Sequence, residues 1–195
     1  MSSRPILLAA VALSALCLAS PALAAVVTDF SSGLAGWTVT GDNAATWSAT
    51  SGNPGACLFV NDLATGDNNY AVAPARYLGD WSAMGAGDSL STDLWLQLLS
   101  GTPVQEPWLF RIEGPGGAAH AVTNVLPPYL AWTRYSVSLS PADWVLESGT
   151  WSALLANVTS LLVEGEYVSG DEDCRIDNVV LTRDPTRVFN PCVVE

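Results

Sequence analysis

Few of the 195 residues have the types that acid-base or nucleophilic chemistry needs. His120 is the single histidine and there is no lysine. Ser89 sits in the run Gly87-Asp88-Ser89-Leu90-Ser91, but a serine hydroxyl attacks only when a placed base takes its proton. His120 has no acidic neighbour in sequence to orient it as that base. Glu113, Glu164 and Glu166 would suit glycoside hydrolysis if two of them converged, yet nothing in the sequence singles them out. The acidic run Asp171-Glu172-Asp173 reads as a solvated hairpin loop. What remains is binding chemistry. Trp95, Gln97, Arg111, Glu113 and Arg134 fall on the outward phases of alternating segments, where an indole can stack on a sugar ring and polar groups can bond its hydroxyls. The competing expectation is that a helix or loop covers Trp95.

These residues need strands to present them, and the alternation supplies strands. Leu90, Leu94, Leu96 and Leu98 share one face of the segment 89–99, with Ser91, Asp93, Trp95 and Gln97 on the other. Trp108, Phe110 and Ile112 alternate with Leu109, Arg111 and Glu113, and Tyr135, Val137 and Leu139 with Arg134, Ser136 and Ser138. Further strands are expected at 36–40, 56–60, 160–167 and 174–181, separated by Gly, Pro, Asn and Asp. Only 140–144 and 150–157 read as short helices. The fold class expected is therefore all-β, an antiparallel β-sandwich with one or two short helices, in a single domain over residues 25–183. Residues 184–195 form a tail.

Nineteen acids against seven bases, all arginine, give a net charge of -12. Such a surface excludes nucleic acid and anionic membranes as partners. Arg4, an apolar run over 6–18, and Ala22-Leu23-Ala24 follow the order of a secretory signal peptide over residues 1–24, cleaved after Ala24. No later segment is apolar for the length of a membrane span. Cys57, Cys174 and Cys192 would then enter an oxidising compartment, where one disulfide and one thiol is the simplest account. Cys174 with Cys192 would pin the tail, and Cys57 with either partner is an open alternative.

Asp42 and Trp47, Gly52-Asn53-Pro54-Gly55, Tyr70-Ala71-Val72-Ala73-Pro74 and Tyr77-Leu78-Gly79-Asp80 resemble, in order and spacing, the laminin B domain, also called laminin IV type A. The segments 132–139 and 155–161 and the run Ile176-Asp177-Asn178-Val179-Val180-Leu181 agree with it. The resemblance implies a jelly roll similar to galactose-binding and carbohydrate-binding modules, extracellular and non-catalytic. It implies packing roles for Trp37, Trp47, Trp132 and Trp144. Asp29 and Asp177 fall where similar jelly rolls bring their first and last strands to a structural calcium ion. The run around Ser89 also matches the nucleophile block of GDSL-type lipases and esterases. Those enzymes need a histidine three residues after an aspartate, and here Gly117 holds that place before His120.

The expected function is thus a secreted, non-catalytic module binding glycan or matrix and cell-surface ligands. A purely structural extracellular domain is the alternative, and a GDSL-type esterase a distant one.

Overall fold

The computed structural model describes residues 25–62, 68–103, 108–122 and 126–183. In chain order its strands are β1 (Ala25–Thr28), β2 (Thr38–Thr40), β3 (Thr46–Gly52), β4 (Gly55–Asp62), β5 (Tyr70–Val72), β6 (Ser89–Leu98), β7 (Thr102–Pro103) and β8 (Trp108–Gly114). They continue with β9 (Gly117–Val122), β10 (Thr133–Ser138), β11 (Val145–Gly149), β12 (Ser160–Glu164), β13 (Val168–Ser169) and β14 (Glu172–Thr182). The front sheet runs β10-β6-β14-β4-β3, with β1 also paired to β14; the back sheet runs β11-β9-β8-β12-β5-β2; β13 and β7 form a short ladder. Every strand pairing is antiparallel. The all-β sandwich expected from the alternation is the fold observed.

One apolar core lies between the sheets. Leu90, Leu94 and Leu96 of β6 are wholly buried against Phe110 and Ile112 of β8 and Leu161 and Val163 of β12. Each such leucine contributes about 2 kcal/mol by burial. Trp37 packs edge-on against Tyr77 at 5.3 Å, and the Tyr77 hydroxyl donates to the Val179 carbonyl at 2.8 Å, tying the loop after β5 to the last strand. The expected helices are short: a 3-10 turn at Pro141–Asp143, and α1 (Trp151–Leu155), capped by the Thr150 hydroxyl accepting from the Ala153 amide.

Three expectations need correction. Trp47 is 42% exposed rather than a packing residue, its indole N–H donating to the Phe30 carbonyl at 2.8 Å; Trp37 and Trp144 are buried and Trp132 half-buried. A bulge between Trp108 and Phe110 breaks the alternation of β8, so Trp108 stacks on Tyr70 at 4.7 Å while Leu109 is buried. The acidic run is no solvated loop, because β14 begins at Glu172 and that residue is 0% exposed.

Candidate functional site

The front sheet carries side chains on its outer face in cross-strand rows. Register places Trp95 of β6 opposite Arg175 of β14, and Arg175 opposite Phe59 of β4. The Arg175 guanidinium lies 3.7 Å from the Trp95 ring centre and 5.4 Å from that of Phe59, a cation-π ladder across three strands. Its Nε is buried without a hydrogen-bond partner. One row along, Gln97, Asp173 and Asn61 are in register, and the Asn61 amide donates to the Asp173 carboxylate. Trp95, Gln97, Phe59, Arg175, Asn61 and Asp173 are each half-buried. Among the described residues, the group stacked on Trp95 is an arginine of the same sheet.

On the other side of the ladder lies a polar cradle. Arg134 of β10 donates to Asp93 Oδ1 at 3.2 Å and to the Ser91 hydroxyl at 2.8 Å. Asp93 Oδ2 accepts from the side-chain amides of Asn53 at 3.1 Å and Asn178 at 2.8 Å. Asp177, opposite Asp93 in register, accepts from the backbone N–H groups of Asn53 and Asn178, each at 2.6 Å. Local geometry explains the convergence. The β3–β4 turn, closed by Gly55 at φ +87°, carries Asn53 over the sheet. A register shift in β14 after Asp177 puts Asn178 at φ +48°, a left-handed conformation that asparagine tolerates. Asn53 therefore bonds across the sheet rather than within its own turn. Burial pushes the Asp177 carboxyl up to about 6, against the opposing pull of the two N–H donors.

Arg111 and Glu113 do not join this face. They lie on the outer face of the back sheet, so the expected five-residue groove divides into Trp95, Gln97 and Arg134 in front and Arg111 and Glu113 behind. There Arg111 grips Glu147 through Nε at 2.8 Å and Nη2 at 2.8 Å and also pairs with Glu113, while His120 Nδ1 lies 2.9 Å from Glu147 Oε1. The Arg111 hydrogen bonds hold the Glu147 carboxyl down at about 2 and raise the guanidinium further. Arg111, Glu113 and Glu147, with Ser148 and Thr159, line a shallow open depression.

Of the remaining candidates, Asp29 follows β1, which pairs with β14, and its charge acts on Asp177; the others lie apart from the cradle. Ser89 opens a front-sheet strand whereas His120 lies on the back sheet bonded to Glu147, so the nucleophile block is not matched to the histidine. Glu164 and Glu166 lie together, the Glu166 amide donating to Glu164. Glu113 is opposite Ser160, four residues before Glu164, which is about 13 Å along a strand. Asp29 is exposed and turns back on the Ser31 amide and hydroxyl, which lower its pKa. Among the described residues no group of three or more His, Cys, Asp or Glu is placed to hold a metal ion. Cys57 and Cys174 are free and buried, on opposite faces of the front sheet; Cys192 lies outside the described residues. No helix among the described residues is long and apolar enough to cross a membrane.

This architecture is found elsewhere. Over 83% of this chain and 99% of that domain, it is similar to the L4b domain of human laminin alpha-2, with a TM-score of 0.60 and 12% identity. The likeness is one of fold. The same laminin-like sandwich is similar to the family 11 carbohydrate-binding module of the cellulosomal cellulase Lic26A-Cel5E of Clostridium thermocellum, at TM-score 0.52 and 19% identity over 82% of this chain and 95% of that one. No family model matches the chain, and no curated protein sequence matches it.

Sequence reasoning found Trp95, Gln97 and Arg134 but missed Phe59, Asp93, Arg175, Asn53 and Asn178 as their companions. Period-2 alternation marked Asp93 as outward. Nothing in the sequence signalled the Arg175 ladder, which depends on the register of three strands distant in the chain.

Proposed function

We propose that the chain is an exported, non-catalytic extracellular module of the laminin B kind, whose front face binds glycan or matrix and cell-surface ligands. The observation that carries the reading is the Trp95-Arg175-Phe59 ladder flanked by amide and carboxylate groups. Half-buried ring edges and a planar guanidinium form a platform for the apolar face of a sugar, and the flanking polar groups match its hydroxyls. The fold likeness to a carbohydrate-binding module supports the same reading. A leader cleaved after Ala24 would leave Ala25, the first residue of β1, as the new amino terminus, which intact mass of secreted protein tests.

A glycan array on the purified protein, repeated with Trp95→Ala, tests the binding. A specific hit that the variant loses supports the proposal; a blank array, or hits unaffected by the variant, overturns it. One observation favours the structural alternative: the guanidinium 3.7 Å from Trp95 occupies the ring face a sugar would use. In that case the variant lowers the melting temperature and there is no ligand to lose. Ester hydrolysis abolished by Ser89→Ala would overturn the non-catalytic reading.

A further inference from the structure

We propose that one end of the sandwich is closed by a proton-loaded carboxylate clasp, which holds the two sheets together in acid and loosens as the pH rises. Five carboxylates converge there. Asp62 of β4 and Glu172 of β14 are register partners in the front sheet. Glu164 ends β12 in the back sheet, Glu166 follows it, and Asp42 follows β2. Asp62, Glu164 and Glu172 are buried, at 1%, 2% and 0% exposure.

Two asparagines knit the acids into one cluster. The Asn43 amide donates to Asp62 at 3.1 Å and to Asp42 at 3.3 Å. The Asn69 amide donates to Asp42 at 3.1 Å and Glu166 at 3.3 Å, and its backbone N–H to Glu166 at 3.0 Å. Glu164 accepts from the Glu166 N–H at 3.1 Å and Glu172 from the Tyr167 N–H at 2.6 Å. Those donors leave buried oxygens over. Glu172 Oε2 and the Tyr167 hydroxyl have no hydrogen-bond partner, and both residues are wholly buried. An ionised oxygen in that position is unsolvated, and a proton on the carboxyl removes the charge.

Burial and the neighbouring acids oppose ionisation, against the opposing pull of the N–H donors to Glu172, Glu164 and Glu166. Glu166 and Asp62 weigh on Glu172, Glu166 and Glu172 on Glu164, and Asp42 and Asp62 on Glu166. The Tyr167 phenol and Cys174 thiol face Glu164 and Glu172, and Tyr70 faces Glu164 and Glu166, with Arg111 acting on Tyr70 in the opposite sense. Burial pushes Glu172 up to about 8 and Glu164 well above the ordinary range, and it raises Glu166. Folding therefore takes up protons. The clasp's contribution is complete below about 4.5, the ordinary carboxyl value, and falls as pH rises toward about 8.

Thermal unfolding of the purified full chain between pH 5 and pH 9 tests this, with Glu172→Gln and Glu164→Gln as neutral mimics of the protonated acids. The wild-type melting temperature is expected to fall by about 5 °C or more across the range. Each variant should flatten the fall and melt above wild type at pH 9. A wild-type profile that is level or rises, variants whose profiles parallel wild type, or two variants that fail to fold at pH 5 would each overturn the clasp. So would a larger rise on adding millimolar calcium at pH 8 than on acidification, if both variants abolish it, because the cluster would then serve a cation.

Discussion

The two outer faces of the sandwich each carry an arginine among acids and aromatic rings, and they use it differently. Behind, Arg111 is gripped by Glu147 and Glu113, with His120 on the same carboxylate, so the charges answer one another in a closed network. In front, Arg175 lies between two rings, and Asp93 and Asp177 are held mainly by neutral amides. An ion network of half-exposed groups spends its donors on itself and adds little stability. A cradle of amides around buried carboxylates fixes backbone geometry and presents rings beside hydrogen-bonding groups. The lesson is that outward phase and polar composition do not mark a binding face; what the polar groups are bonded to does.

Four substitutions or additions test that contrast, in falling order of effect. Asp177→Ala in front should cost about 3 kcal/mol in urea unfolding, because it strands the Asn53 and Asn178 N–H donors; a loss below 1 kcal/mol would mean the cradle is not structural. Trp95→Ala should weaken glycan affinity about tenfold, roughly 1.4 kcal/mol, in calorimetric titration, with the fold retained. Glu147→Ala behind should cost about 1 kcal/mol and leave glycan affinity unchanged. Calcium added at neutral pH should raise the melting temperature by no more than about 2 °C, since Asp29 and Asp177 already accept backbone hydrogen bonds. A rise well beyond that would show the ion drawing the two carboxylates together.

Acid titration should separate the faces as well. Glu147, held at about 2, contributes stability that is present above its ordinary value of 4.5 and is lost as pH falls toward 2. Asp177 has the opposite sign. Raised to about 6, it contributes stability that is present below 3.8 and is lost as pH rises through 6. Comparing the pH profile of Asp177→Asn with that of Glu147→Gln should therefore flatten opposite ends of the curve.

Much of the front sheet was legible because β6 has a clean period of two, and Leu90, Leu94 and Leu96 are buried where that period puts them. The back sheet was harder. Strand β9, Gly117-Ala118-Ala119-His120-Ala121-Val122, has almost no β-favouring residues and is held by ladders on both sides, from β8 and β11. Strand β11 is exposed along its whole length and so carries no burial pattern. The division of the five candidate residues followed from the same limit. Alternation tells outward from inward but not which of two sheets a strand joins. Glu172 was misread for a different reason: an acidic run looks solvated when only its composition is weighed, and its burial depends on Asp62, more than a hundred positions earlier.

The position of β14 has a consequence for how the chain reaches its fold. That strand lies between β6 and β4 and also receives β1, so three segments of the front sheet meet only on residues 172–182. During synthesis the earlier strands wait with unpaired edges, since β4 and β6 have no ladder with each other. Pairings between opposite ends of the sequence make for slow folding. If the chain is exported as proposed above, it would cross the membrane before residues 172–182 can join β4, β6 and β1, and would complete its sandwich only on the far side.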